Sequence, residues 1–249
     1  MKTKVLPQEG LKMIACLTML IDHFGYAIVP HLPVPYMADL YYACRIIGRI
    51  AFPIFAYMIA EGCRYTKNRT KYLGMIAAMA VAFQVVYFVA MGSLYQGILV
   101  TFSLAIITIY AIDGILKPKK LWTVLASIAS LAFVGVFVFV LPKLLVGTDF
   151  DIDYGLWGIL LPVAVYYLPS RLWRVVGMAV LLLVRAIHYT VFSFGTLGTL
   201  QWYALISVAL LALYNGERGR AKMKYVFYIF YPAHLVILYG IAIVISMLK

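Results

Sequence analysis

Charge is scarce in this chain. Only nine of its 249 residues are acidic and 21 are basic, so charged side chains make up 12%. A soluble domain carries about a quarter. No hydrophilic stretch is long enough to form a soluble domain, and no internal repeat or low-complexity tract is visible. The three cysteines, Cys16, Cys44 and Cys63, are scattered without metal-ligand spacing and read as small packing residues rather than as a metal centre. There is no glycine loop of the kind that cradles phosphate, no zinc-binding helix motif and no serine elbow, so those chemistries have no support.

Apolar residues fill the space that charge leaves. They form 65% of the sequence, with a mean hydropathy of +0.97. The apolar runs are continuous rather than alternating, which predicts an all-α polytopic bundle of transmembrane helices rather than a barrel. About nine spans are expected, with eight to ten as the range: 10–29, 43–62, 72–91, 94–116, 121–141, 154–168, 172–192, 199–214 and 225–247. The sixth and eighth are short for a bilayer. No separate signal peptide is visible, and the run from Gly10 reads as a retained helix. The whole chain, 1–249, is expected to form a single integral-membrane domain.

A net charge of +12 in a soluble chain would suggest nucleic acid. Here the basic residues fall between apolar runs, so topology explains them and no nucleic-acid partner is expected. With the N-terminus in the cytoplasm, sixteen lie in inner segments: Lys2, Lys4, Lys12, Arg64, Lys67, Arg69, Lys71, Lys117, Lys119, Lys120, Arg171, Arg174, Arg218, Arg220, Lys222 and Lys224. Lys143 and Lys249 fall outside, with the acidic cluster Asp149, Asp151 and Asp153. This asymmetry predicts an inner-membrane protein with its N-terminus cytoplasmic.

Arg45, Arg49 and Arg185 remain within the spans, joined by Asp22, His23 and His234. At about 1.5 Å of rise per residue, Asp22, His23, Arg49, Arg185 and His234 fall in one layer, about 14–20 Å from the inner edge of a hydrocarbon core about 30 Å thick. Each charge in lipid costs about 2.5–3.5 kcal/mol on insertion scales, whereas intramembrane hydrogen bonds contribute about 0.6 kcal/mol on average. Structural adhesion alone is therefore a weak reason for the cluster, and a polar interior is expected. Asp22 is expected to pair with Arg45 or Arg49, which lie one turn apart. His23, about 100° further round the first helix, is expected to face a cavity.

A histidine near neutrality suits general-base work on an amine or hydroxyl. Nearby arginines suit the oxyanion formed when a thioester is attacked. His188 and His234 read equally well as core histidines or as site elements. Glu61 reads either as a local partner of Arg64 or as a cofactor contact. The cation-rich loops "CRYTKNRTK", holding Arg64, Lys67 and Arg69, and "NGERGRAKMK" suit the phosphates of a cytosolic donor such as coenzyme A, although topology alone also accounts for them.

Five stretches, "LKMIACLTMLIDHFGY", "RIIGRIAFPIFAYMIAEGCRYTKNRTKYL", "DYGLWGILL", "ALYNGERG" and "KYVFYIFYPAHLVILY", together resemble the TraX family along nearly the whole chain. That family is typified by the membrane enzyme that acetylates the N-terminus of conjugative F-type pilin. It is similar to the wider superfamily of integral-membrane acyltransferases. The resemblance implies acetyl-CoA as cosubstrate, without a metal, and a catalytic His23 accompanied by Asp22, Arg45 and Arg49. It also implies a further site element in "YPAH", which ends in His234; with Tyr231 of that motif, the residues Glu61, Arg64, Lys67, Arg69, Arg185 and His188 read from depth and loop charge complete the expected substrate- and cofactor-binding set. The segment "FQVVYFVAMGSLYQGILVTFSL" departs from the family pattern, so a pilin acceptor does not carry over. An envelope glycan, a lipid-linked sugar or a pilin-like N-terminus would each serve as acceptor, and homo-oligomerisation is left open. The rival readings are a transporter for an anionic or proton-coupled solute, against which no repeat or paired broken helix is visible, and a non-catalytic assembly factor.

Overall fold

A computed structural model describes residues 6–118, 120–192, 196–217 and 224–248, with the side chains of residues 90, 196–197 and 224–228 excepted. Lys2, Lys4, Lys119, Arg218, Arg220, Lys222 and Lys249, and the side chain of Lys224, therefore lie outside the described residues. Among those described, the fold is all-α, and β-type pairing is limited to isolated bridges. Among the described residues, seven helical segments are long and apolar enough to cross a membrane: Gln8–His31, Met37–Tyr65, Arg69–Val89, Ile98–Leu116, Leu121–Leu144, Arg171–Phe192 and Ile229–Met247. The two runs expected to be short are the shorter apolar helical stretches Gly155–Tyr167 and Gly198–Ala212.

Proline sets many of the boundaries. α1 (Gln8–Ala27) follows Pro7. α2 (Met37–Gly48) and α3 (Ala51–Tyr65) occupy one 29-residue segment, which starts earlier than the expected 43–62 and is interrupted at Arg49 and Ile50. The interruption has a local cause. Pro53 has no N–H to return to the carbonyl of Arg49, and the amides of Arg49 and Ile50 bond three residues back, to Ile46 and Ile47. α4 (Arg69–Met91) opens on Asn68, whose side chain accepts the Lys71 amide at 2.8 Å, and closes on Gly92 at φ 65°. α5 (Ile98–Leu116) and α8 (Gly155–Tyr167) both stop one residue before an X-Pro pair, Lys117-Pro118 and Leu168-Pro169, where the first residue is pushed out of the helical region. α6 (Leu121–Gly135) reaches α7 (Leu141–Leu144) through a π turn at Val136–Val140, and the Leu141 amide bonds the carbonyl of Val136. This turn accommodates Pro142 without leaving the span, so the fifth segment runs past its expected end at 141.

The chain divides into two compact units, Met1–Phe55 with Ser170–Lys249 and Ala56–Pro169. In the first, α1 packs on α2 and on α12 (Lys224–Met247), around Ala27, Ile28, Leu238 and Ala242. α9 (Arg171–Phe192) packs on α10 (Thr196–Leu200), a 3₁₀ turn (Gln201–Leu205) and α11 (Ile206–Ala212).

In the second unit α5 is central. It is apolar on every side and packs against α4, α6 and α8, around Leu104, Ala105, Val134, Ile152 and Ile159. Gly158 is where α8 meets α5 most closely, because a β-carbon there would collide with the Thr101 methyl. α4 and α6 leave Val81, Val85, Phe88, Val89, Leu121, Trp122, Leu125 and Phe133 exposed, a surface suited to acyl chains.

The two ends of this unit differ in chemistry. At one end Asp149 accepts the Leu94 amide at 2.8 Å, Asp153 accepts from the Tyr95 hydroxyl at 3.2 Å, and Gln96 shares two backbone bonds with Asp151 and Asp153. Hydrogen bonds from Ser93 and from the Leu94 amide hold the Asp149 carboxyl below its usual range. Arg64, Lys67, Arg69 and Lys117 gather at the other end, where α3, α5 and α8 finish and α4 begins.

The positive-inside pattern predicts that this basic end faces the cytoplasm. In cells expressing the chain, a membrane-impermeant maleimide is expected to label Thr148→Cys directly and Lys67→Cys only after permeabilisation; the opposite pattern would invert the topology. Gly158→Val should overpack the α5–α8 contact and destabilise the protein by about 1–3 kcal/mol, measured as a lower unfolding midpoint in detergent.

Candidate active site

Two adjacent residues on α1 feed two networks. Asp22 points at α2, where Gly48 makes room for it: a β-carbon on Gly48 would fall on the Asp22 carboxylate. Both carboxylate oxygens are engaged. Arg45 Nη1 donates to Oδ2 at 2.7 Å and Arg49 Nη2 donates to Oδ1 at 3.0 Å. Arg49 Nε also donates to the Arg45 carbonyl at 3.1 Å, which ties the helix interruption to the ion pair. The Arg45 guanidinium stands 5.7 Å from the Tyr26 ring centroid. These side chains are 13% (Asp22), 16% (Arg45) and 9% (Arg49) exposed, so screening by water is weak. One carboxylate against two guanidiniums leaves the network with a formal surplus of one positive charge, which favours an anion formed beside it.

His23 is turned about 100° from Asp22 and faces α12 instead. Its Nδ1 lies 2.8 Å from Nε2 of His234, with the ring centroids 5.0 Å apart and the ring planes inclined by 28°. His234 is 4% exposed, and its Nδ1 lies 2.7 Å from the Phe230 carbonyl oxygen one turn earlier. The Phe230 ring stacks on His234 at 4.8 Å, and Tyr231 meets it edge-on at 5.9 Å. His23 thus has a buried imidazole as the partner of its Nδ1. The face of α12 that reaches α1 lies just past Pro232, inside the helix.

Arg185 on α9 is also buried, with its guanidinium 5.6 Å from the Phe52 ring centroid and 5.0 Å from that of Tyr189. His188, one turn later, is exposed beside Tyr189 and Phe192. The remaining residues singled out from the sequence belong to the other compact unit. Glu61 is buried in α3. Arg64 donates to the carbonyls of Tyr166 and of Leu168, the latter at 3.1 Å, and so caps the C-terminal end of α8. Arg69 donates to Asp113 at 2.5 Å and to the Tyr166 hydroxyl at 3.1 Å, with its guanidinium 4.9 Å from the Tyr110 ring centroid. Lys67 is exposed.

Asp113 was not singled out from the sequence, yet it gathers Arg69 and the hydroxyls of Tyr166, at 2.8 Å, and Tyr167, at 3.2 Å. A lone acid in the apolar run "IYAIDGIL" was the available signal, of the same kind that drew attention to Asp22.

Comparison with known proteins identifies the family of this sequence. The probable fimbrial assembly protein FimC, serogroup H1, of Dichelobacter nodosus is 24% identical over 249 residues, covering 92% of this chain and 92% of its own. No solved structure matches. The family model described as TraX protein matches residues 7–242, a stretch that contains both the Asp22 network and the histidine pair, and the chain belongs to the TraX family.

Proposed function

We propose that this chain is a membrane-embedded acetyltransferase that moves an acetyl group from acetyl-CoA to an amine or hydroxyl. The observation that carries the reading is the pairing of His23 with His234 on the helix that also presents Asp22 to Arg45 and Arg49. In the reaction, His23 takes the acceptor's proton as its nitrogen or oxygen attacks the thioester carbonyl carbon. The carbonyl oxygen becomes an oxyanion beside the surplus positive charge of the Arg45–Asp22–Arg49 network. The carbon–sulfur bond then breaks, and the thiolate leaves with the proton that His23 holds. The products are free coenzyme A thiol and an acetyl amide or ester. Transfer through an acetyl-imidazole on His23 is the two-step variant of the same chemistry.

The donor is taken to arrive from the cytoplasm, with the protein in the inner membrane. Exposed Lys67 and Lys71 contribute to a basic field that attracts its phosphates. Arg64 and Arg69 are tied to main-chain carbonyls and to Asp113, so their contribution to donor binding is secondary to holding α3, α4, α5 and α8 together. The fimbrial assembly role named for the relative supports a subunit of a surface filament as acceptor, ahead of an envelope glycan or lipid-linked sugar. Beside the buried arginines and histidines, the break at Arg49 and Ile50 favours the rival transporter reading, because interrupted helices line solute paths in transporters.

Purified protein in lipid vesicles is to be supplied with acetyl-CoA labelled in the acetyl group, together with membranes of the parent cells as the acceptor source. Transfer of label and release of free thiol are expected. His23→Ala should lower the rate by a factor of about 10²–10⁴ in a protein that still folds, its unfolding midpoint lowered only as far as the lost hydrogen bond to His234 requires. Normal turnover in that variant would overturn the role of His23. Absence of thiol release by the unaltered protein, with uptake of a solute instead, would replace the enzyme by a transporter. Asp22→Ala strands two guanidiniums in an apolar bundle and should cost stability as well as rate, by about 3–5 kcal/mol for a broken buried pair. A double-mutant cycle with Arg45→Ala should recover part of that loss.

A further inference from the structure

The proton arrangement of the histidine pair can be read from its last acceptor. The Phe230 carbonyl oxygen has no proton to give, so the 2.7 Å contact requires a hydrogen on His234 Nδ1. A neutral imidazole carries one N–H, which leaves His234 Nε2 as a bare lone pair. The 2.8 Å contact between the rings then requires the hydrogen on His23 Nδ1. With that hydrogen fixed, the basic lone pair of neutral His23 is on Nε2, at the opposite edge of the ring from His234.

From this geometry we propose that His234 is a positioning residue that holds His23 in its Nδ1–H form and makes Nε2 the atom that accepts a proton. The proposal deepens the acetyltransferase reading and its chemical consequence rests on it. Three features support it. The carboxylate next to His23 in sequence is Asp22, and both its oxygens are taken by Arg45 and Arg49, while the group that His23 Nδ1 meets is His234 Nε2. His234 is clamped between the Phe230 face and the Tyr231 edge and is 4% exposed, so its ring has little room to turn over. The carbonyl of Phe230 has two lone pairs and can accept the imidazole N–H alongside a helical amide. When Nε2 of His23 takes the acceptor's proton, the ring becomes an imidazolium, and its Nδ1–H bond to His234 becomes charge-assisted and stronger. The same step puts no charge on His234, which changes neither its own proton nor its bond to Phe230.

The test combines a spectroscopic and a kinetic readout on the full-length protein in lipid. Protein labelled with ¹⁵N at histidine is measured by solid-state NMR, with the His23 signals assigned by their loss in His23→Gln. Unaltered protein is expected to show His23 protonated at Nδ1 and bare at Nε2. In His234→Phe, which fills the space without an acceptor, an Nε2–H population of His23 should appear. In His234→Gln, whose amide oxygen can accept in place of Nε2, the Nδ1–H form should persist. With acetyl-CoA as substrate, His234→Phe should lower kcat on the order of 10²-fold at unchanged KM, and His234→Gln should restore most of it. An Nε2–H form of His23 in the unaltered protein, or a His23 tautomer indifferent to His234→Phe, overturns the proposal. Equal losses in the Phe and Gln variants would also overturn it, reducing His234 to a packing residue. Should the expected tautomer be seen in a protein that releases no thiol from acetyl-CoA, the proton arrangement stands and the acetyltransferase reading falls.

Discussion

The first compact unit depends on one carboxylate held between two guanidiniums in surroundings that leave all three largely shielded from water. Asp22, Arg45 and Arg49 could each be present in an apolar bundle only at a cost of about 2.5–3.5 kcal/mol if left alone. Together they satisfy both carboxylate oxygens, and the arrangement dictates the neighbourhood. α2 must carry glycine at position 48, or the carboxylate has no place to sit. The helix must be interrupted next to Arg49, and the pattern of short backbone bonds around Pro53 provides for this. The pair therefore sets how α1 meets α2, and through α1 it sets the angle at which His23 is offered to α12.

That dependence explains which parts of the architecture were legible in the sequence. Continuous apolar runs and the scarcity of charge pointed to an all-α membrane bundle. Asp22 and the arginines at 45 and 49 could be paired on paper, because an uncompensated ion at that depth is improbable on energetic grounds. The interruption at Arg49 and Ile50 was not legible. A proline three residues into a helix is ordinary at an N-terminus, and nothing in the sequence says that α3 begins there rather than at the expected position 43. The π turn at Val136–Val140 was hidden for the same reason, since a membrane span accommodates Pro142 by a local change in bonding that leaves its apolar pattern intact.

The candidate site was legible in its depth and not in its contacts. Rise per residue put His23, Arg185 and His234 at matching heights, yet height says nothing about azimuth. Arg185 stands against the rings of Phe52 and Tyr189, and His188, one turn further along the same helix, is exposed. His234 meets His23 because α12 packs on α1, a long-range contact that separates the two residues by 211 positions. No local pattern in "YPAH" distinguishes a histidine that contacts another histidine from one that fills a core. Asp113 was passed over because it lies near the end of α5, where an acid can be taken for a residue reaching water, although its side chain is only 11% exposed.

Asp113 also shows why buried charge alone does not identify a reactive site. Both acids hold an arginine at short range inside an apolar helical unit, and both would be flagged by the same energetic reasoning. Around Asp113 the further partners are the hydroxyls of Tyr166 and Tyr167, so that group binds α4, α5 and α8 into one end of their unit. Around Asp22 the partners are a second guanidinium and, on the next residue of the same helix, an imidazole whose proton is fixed by another imidazole. An acid capped by hydroxyls has little left to offer a substrate. An imidazole bound through one nitrogen keeps its other nitrogen for chemistry, and the neighbouring surplus of positive charge favours the anion that such chemistry creates. The difference lies in which groups remain uncommitted once the internal bonds are made, and on that ground the proposed reaction is assigned to His23 rather than to Asp113.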